Sequence, residues 1–210
     1  MIKKIIFDLD NTLILWKNEY INFLKEVTIK YGIEKYYKDI DAILETEEKL
    51  HDTLTKEQLL EDINVSCHLS LNIDFVDDIL ESQKKASDPT DKDLQETIKY
   101  LSNKYELVVL TNWFTDTQKG RLKHAKILKY FTDVYGGDQG NIKPHKEAFK
   151  RAIGNNKIEE CIMIGDDNYH DIDGALNVGL KVIQVDLKNK IKYEKEYPVI
   201  KNIKELMDIL

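Results

Sequence analysis

The sequence predicts an α/β protein: a doubly wound parallel sheet, interrupted early by an all-helical insertion. Three observations predict it. From residue 91 onward, short apolar runs of strand length alternate with amphipathic helical patterns. Residues 17–88 break that rhythm and contain helical patterns without a convincing strand. The apolar runs end in polar tips, and in parallel sheets ligands bind outside the strands' carboxyl ends.

The first strand is Lys3-Lys4-Ile5-Ile6-Phe7, followed by Asp8-Leu9-Asp10-Asn11-Thr12-Leu13. Side chains two apart on a strand point the same way, so Asp8 and Asp10 share one side. Like charges that close raise each other's pKa unless a cation joins them. A metal-dependent phosphoryl-transfer site uses such a pair; a structural role seldom does.

The insertion follows. Ile21, Leu24, Val27, Ile29 and Tyr31 mark a helix that ends at Gly32. Residues 36–50, 56–71 and 74–86 suggest three more, returning through Ser87-Asp88-Pro89. The expected division is an α/β core of residues 1–16 and 89–210, with residues 17–88 as a second, helical domain. Linkers near 15–18 and 86–89 would be its hinges.

After the insertion, residues 91–102 read as a helix with Leu94, Ile98 and Leu101 on one face. Glu106-Leu107-Val108-Val109-Leu110 is a strand that breaks at Thr111-Asn112. A helix over 115–128 follows. Ile142-Lys143-Pro144 precedes a helix over 146–153. The residue before a proline avoids the helical region, so Lys143 is expected to be extended, with Pro144 in the first turn of the next helix. Glu160-Cys161-Ile162-Met163-Ile164-Gly165-Asp166-Asp167 is another strand ending in carboxylates, with Asp171 five residues beyond Asp166. A helix over 171–178 stops at Gly179. Lys181 to Val185 is the last strand, and residues 203–210 form a short helix.

Composition narrows the function. The 210 residues carry a formal net charge of −7, with acids and bases interspersed. This argues against a nucleic acid polymer as partner, which needs a basic face. The Lys188-Asn189-Lys190-Ile191-Lys192 stretch reads as a solvated loop. Two cysteines, Cys67 and Cys161, provide no disulfide framework and suit a reducing cytoplasm. No apolar run reaches the ~18 residues of a membrane span, and the first residues read as a strand rather than a signal peptide. No motif speaks to oligomeric state.

Taken together, the polar tips resemble the haloacid dehalogenase-like (HAD) hydrolase superfamily, over nearly the whole chain. Asp8-Leu9-Asp10-Asn11-Thr12-Leu13 is similar to the family's first motif, Asp-x-Asp-x-Thr-Leu. Thr111 resembles the hydroxyl of the second motif, Lys143-Pro144 the third, and Gly165-Asp166 with Asp171 and Gly174-Ala175 the fourth. The resemblance implies a Rossmann-like core, with the helical insertion as a cap over the active site. It also implies a Mg²⁺-dependent phosphatase. Asp8 would be the nucleophile and form an aspartyl-phosphate. Asp10 would protonate the leaving oxygen and then activate water. Thr111, Asn112 and Lys143 would bind the phosphoryl group. Asp8, Asp10 (through its backbone carbonyl) and Asp166 would hold the metal, with Asp171 behind metal-bound water.

The chain departs from the pattern in places. Asp167 stands where many relatives carry serine, either tightening metal binding or facing water. Gly136 and Gly137 suggest a loose loop before Lys143. Trp113 is either a substrate-facing platform or a packed aromatic, and Trp16 is similarly ambiguous. Asp138 and Asp173 read as solvated charges. Dehalogenation is disfavoured because Asp10 is present. A phosphonate hydrolase with a cap lysine, a phosphomutase and a non-catalytic phosphate-binding module remain alternatives. Thr111-Asn112-Trp113-Phe114 with Gln118 and Arg121-Leu122 is similar to the stretch in pyrimidine-type nucleotidases. A small phosphorylated substrate, a nucleoside monophosphate or a sugar phosphate, is therefore the expectation.

Overall fold

The computed structural model describes residues 1–15, 19–47, 51–191 and 195–210. Six parallel strands lie in the order β3-β2-β1-β4-β5-β6: β1 (Lys4–Phe7), β2 (Glu106–Leu110), β3 (Asp133–Tyr135), β4 (Cys161–Gly165), β5 (Lys181–Val185) and β6 (Val199–Ile200). The first strand is central, paired to β2 through Phe7 with Val109 and to β4 through Phe7 with Ile164. The chain order therefore reverses at β1. That reversal opens a crevice at the strands' carboxyl ends, where β1, β2 and β4 deliver their polar tips.

Alternation along the strands builds two apolar layers. Ile5, Phe7, Leu107, Val109, Ile162 and Ile164 face one side, with Leu94, Ile98 and Leu101 of α5 (Lys92–Ser102) and Leu206 of α9 (Leu206–Ile209). Ile6, Val108, Leu110, Cys161 and Met163 face the other, against Ala148, Phe149 and Ala152 of α7 (Lys146–Ile153) and Ala175 of α8 (Gly174–Asn177). Strands buried on both faces explain why each run is apolar throughout. Cys161 is a small core residue, as its strand position implies.

Between β1 and α5 the chain is helical, with no strand among the described residues 19–88: α1 (Glu19–Lys30), α2 (Tyr37–Leu44), α3 (Lys56–Cys67) and α4 (Ile73–Gln83). Their cores form a separate cluster that includes Leu24, Ile40, Leu59, Ile63, Phe75 and Ile79. Thr55 caps α3 by accepting from Gln58 N, and His68 ends it in the left-handed conformation. Trp16 and most of the first linker lie outside the described residues.

Several boundaries differ from the sequence reading. The helix expected over 115–128 ends at His124 as α6 (Thr115–His124), and a separate turn covers Leu128–Tyr130. The helix expected from Asp171 begins earlier, as a wide π-helical turn over Asn168–Asp173 that runs into α8. Pro144 is not in the first turn of α7, which starts at Lys146; the Lys143–Pro144 peptide is cis. The strand Asp133–Tyr135 and the short β6 escaped the sequence reading, being three and two residues long.

Candidate active site

Asp8 leaves the end of β1, and its backbone N–H donates to the carbonyl of Ile164 (2.9 Å). Asn11, at φ 59°, turns the chain directly after Asp10. The Asn11 N–H donates to the Ile14 carbonyl (2.8 Å), closing the tight loop that presents both aspartates. They open into a cavity of about 590 Å³, which Thr111, Asn112, Trp113, Lys143, Asp166 and Asp171 also border. Every expected site residue therefore lines one cavity.

Lys143 is the hub. It is buried, and its Nζ donates to Asp8 Oδ1 (2.7 Å) and Asp171 Oδ1 (2.6 Å). Asn112 positions it from below: its Oδ1 accepts from Lys143 N (2.8 Å), and its Nδ2 donates to Lys143 O (3.0 Å). Burial by itself would depress the Lys143 pKa, but the charges of Asp171 and Asp8 prevail and hold its ammonium well above the ordinary value. Asn112 thus serves the lysine's backbone, in addition to bordering the cavity.

Carboxylate oxygens of Asp8, Asp166 and Asp171 all lie within 4.8 Å of one another. Burial pushes the Asp8 carboxyl well up, and Asp171, Asp166 and Asp10 add to the rise against the pull of Lys143. Asp166 is pushed to about 7, first by burial and then by Asp171. One ammonium among these acids leaves excess negative charge. A hard dication would remove it, and an all-oxygen donor set of this kind suits Mg²⁺ or its like. One oxygen of Asp171 gathers with oxygens of Asp8 and Asp166, while its Oδ2 accepts from Asp167 N (3.1 Å).

Asp10 borders the same cavity but has different partners. Its Oδ1 accepts from Arg121 Nη1 (2.5 Å) and its Oδ2 from Gln118 Nε2 (2.9 Å). Its carboxylate is thus tied to α6, outside the group formed by Asp8, Asp166 and Asp171. The same Gln118 Nε2 reaches Thr111 Oγ1 (2.9 Å), and Gln118 Oε1 accepts from Arg121 Nη1 (2.9 Å). Both residues are fully buried on α6. In the sequence they stand out only as part of a short nucleotidase-like stretch, with no role of their own. The available signal was a helix whose inward face is polar: Thr115, Gln118 and Arg121 recur where an apolar stripe would be expected.

Several subsidiary expectations are corrected. Asp138 is not merely solvated: its Oδ1 accepts from Thr115 N (2.8 Å) and Thr115 Oγ1 (2.6 Å), capping α6. Gly136 and Gly137 are not loose. A Cβ on Gly136 would come within 2.4 Å of Thr115 Oγ1, and one on Gly137 within 2.5 Å of the Asn112 carbonyl. The glycines let this loop press against Thr115 and Asn112. Asp167 caps the π-helical turn through Tyr169 N (2.9 Å) and His170 N (2.7 Å). Bonding to His170 lowers its carboxyl to about 2. Trp113 packs edge-on to Phe114 and donates from Nε1 to Gln83 Oε1 (2.7 Å) while also bordering the cavity. Lys190 is exposed, as a solvated loop requires, and yet reaches the cavity rim. Thr12, from the first motif, donates to Asp166 Oδ1 at 3.4 Å.

The family of haloacid dehalogenase-like hydrolases matches residues 5–185. The chain belongs to that family. It is similar over its full length to the pyrophosphatase PpaX of Bacillus mycoides, at 30% identity covering 97% of that protein. Half of it is 30% identical to the pyrimidine 5'-nucleotidase PynA of Streptococcus pneumoniae, covering 47% of that protein. The crystal structure of the HAD-hydrolase YfnB of Bacillus subtilis, bound to magnesium, shares the fold with a TM-score of 0.73 at 19% identity, over 99% of this chain and 98% of that one. As a HAD-like enzyme the chain is a hydrolase acting on phosphate esters. No helix among its described residues is long and apolar enough to cross a membrane.

Proposed function

We propose that the protein is a Mg²⁺-dependent phosphomonoester hydrolase of small phosphorylated metabolites, a nucleoside monophosphate or sugar phosphate, working in the cytoplasm. The observation that carries this reading is the placement of Asp8. It accepts from the Lys143 ammonium and gathers with the carboxylates of Asp166 and Asp171, where all of them line one cavity. Two buried free cysteines agree with a reducing compartment.

In the first half-reaction an Asp8 oxygen attacks phosphorus, the ester P–O bond breaks, and Asp10 delivers a proton to the departing oxygen. In the second, Asp10 takes a proton from water as that water attacks the aspartyl-phosphate. The P–O bond to Asp8 breaks, inorganic phosphate leaves, and Asp8 is restored. Lys143 and Thr111 hold phosphoryl oxygens, with backbone N–H groups after Thr111 as further donors. Asp8, Asp166 and Asp171, with the Asp10 carbonyl, would hold Mg²⁺. The ion supplies charge neutralisation between the phosphate dianion and Asp8. Gln118 and Arg121 fix Asp10 by both its oxygens, so its approach to the substrate oxygen is set by α6.

Residues 17–88 are read as a cap over the core of residues 1–16 and 89–210. The helical segment contributes Tyr20, Leu44 and Glu45 to the cavity wall. A cap of this kind excludes water and selects substrate. No lysine among the described residues of this segment borders the cavity. A second reading, cleavage of a phosphoanhydride, is favoured by the full-length likeness to a pyrophosphatase.

The test is phosphate release from nucleotides, sugar phosphates and inorganic pyrophosphate, with Mg²⁺ and with EDTA, beside Asp8→Asn. Release that needs both metal and Asp8 supports the reading, and the ranking names the substrate class. No release from any member, by a folded protein, would overturn it in favour of a mutase or binding module.

A further inference from the structure

Glu47, His51 and Asp62 meet in the helical layer, and none of them borders the cavity. Glu47 and His51 are four residues apart, joined by a backbone bond from His51 N to the Glu47 carbonyl (3.1 Å). Asp62 comes from the middle of α3. His51 Nε2 lies 2.6 Å from Asp62 Oδ2 and 3.8 Å from Glu47 Oε2, and one ligand atom from each residue falls within 4.8 Å of the others.

The unusual member is Glu47. Its side chain is 1% exposed, no donor reaches either carboxylate oxygen, and burial followed by the charge of Asp62 pushes its carboxyl up to about 7, which a bound cation would reverse. Among the described residues no lysine or arginine pairs with Glu47 or Asp62. Buried charges are ordinarily paired or bound to a metal, because the desolvation cost is otherwise uncompensated. Two carboxylates with a neutral imidazole carry two negative charges, which a dication balances; a protonated His51 balances only one. One imidazole nitrogen with two carboxylates is also a donor set that suits zinc-type ions better than Mg²⁺.

We propose that Glu47, His51 and Asp62 form a second metal site, specific for a zinc-type transition-metal dication. The side chains of His51 and Asp62 are 24% and 30% exposed, so the ion has an entry path and an open position for water. The site would also fasten the helical layer to the catalytic loop. Asp52, next to His51, accepts from Ile142 N through its carbonyl (2.9 Å), and its Oδ1 lies 2.9 Å from His145 Nε2. These two contacts flank Lys143. Two residues on, Leu54 N donates to the Gly137 carbonyl (3.2 Å).

The experiment titrates Co²⁺ into the metal-stripped full chain under excess Mg²⁺, which occupies the Asp8 cluster. Bound Co²⁺ is read by its visible absorption and by equilibrium dialysis. Wild type is compared with His51→Ala, the near-isosteric Glu47→Gln, and Asp166→Asn. The expected result is one Co²⁺ per chain in wild type and Asp166→Asn, with affinity weakened at least ~10-fold in His51→Ala and Glu47→Gln; changes merely behind a ligand typically cost about 10–100-fold. Circular dichroism confirms folding, and Glu47→Gln decides if His51→Ala fails to fold. No Co²⁺ held against Mg²⁺ would overturn the proposal. So would Co²⁺ lost in Asp166→Asn but retained in His51→Ala and Glu47→Gln. In either case Glu47 carries a proton in place of a metal.

Discussion

Arg121 holds Asp10 from inside the protein. Its Nη1 lies 2.5 Å from Asp10 Oδ1, while its Nε donates to the carbonyl of Ala86 at 2.9 Å. One fully buried guanidinium therefore joins the proposed acid–base to the second linker of the helical segment. The neighbouring Ser87 Oγ donates back to the Arg121 carbonyl (3.0 Å). A shift of that linker would be felt at Asp10.

Arg121→Lys should expose this coupling. Lysine keeps the charge but cannot span both partners with a planar fork. General acid–base catalysis typically contributes ~10²–10⁴-fold, and misplacing its carboxylate should forfeit part of that. We expect kcat to fall roughly 10–100-fold on alkyl phosphates, with KM little changed, and much less on p-nitrophenyl phosphate, whose leaving group needs no proton. Equal losses on the two substrates would mean that Arg121 acts only in stability.

Asp8→Asn removes the proposed nucleophile and keeps its shape. Turnover should drop by roughly 10⁴-fold or more, as for other nucleophile deletions. The fold should survive, because Lys143 retains Asp171 at 2.6 Å and one of several crowded acids is gone. Thermal unfolding beside phosphate release checks both halves. Residual turnover at a tenth of wild type would rule out an Asp8 phosphoenzyme.

Asp10→Asn is the complementary change. It should slow hydrolysis of poor leaving groups far more than good ones, read as the ratio of kcat values for an alkyl and a nitrophenyl ester. An unchanged ratio would remove Asp10 from the proton-transfer role.

Much of this arrangement was legible in the sequence, for identifiable reasons. Asp8, Thr111 and Asp166 follow strands whose both faces are buried, so unbroken apolar runs announced where polar tips would emerge. The short strands Asp133–Tyr135 and Val199–Ile200 carry too few residues for a pattern, and their pairing to β2 and β5 supplies what sequence cannot. Gln118 and Arg121 were hidden because their partners are distant in sequence: Asp10 lies 108 and 111 positions away. The fit of Gly136 and Gly137 against Thr115 and Asn112 was hidden for the same reason. Glycine pairs look loose in sequence, and only a long-range neighbour shows that they are tight.

Metal affinity should depend on pH. Asp166 is pushed up to about 7 by burial and Asp171, and Asp8 is raised mainly by burial. A raised carboxyl means that the folded, metal-free protein retains a proton the unfolded chain has released. Its stability therefore falls as pH rises from about 4 through about 7. Metal takes the carboxylate form, so Mg²⁺ must displace that proton. The apparent Kd for Mg²⁺ should tighten by up to ~10-fold per pH unit between about pH 5 and 7, then level off by pH 8. Mg²⁺ titrations followed by thermal shift at each pH would check this, and a flat profile would count against a protonated metal-free cluster.

Gly165→Ala tests the packing behind the cluster. Gly165 ends β4, and a Cβ there would sit 2.4 Å from Asp171 Cγ and Oδ2. No real contact is that short, so Asp171 must move. Its Oδ1 would leave Lys143 and its Oδ2 would leave Asp167 N, disturbing the cation-facing carboxylates and the lysine together. Overpacking of this kind costs about 1–3 kcal/mol, which a folded domain can absorb. We expect the apparent Mg²⁺ affinity and kcat/KM each to fall ~10-fold or more, comparable with losses from displaced metal-supporting groups. The decisive comparison adds Mg²⁺ in excess: if saturating metal restores kcat, the glycine serves metal binding, and if kcat stays low, Lys143 has been displaced as well. Full activity at ordinary Mg²⁺ would show that Asp171 can give way without consequence, and would remove it from the site.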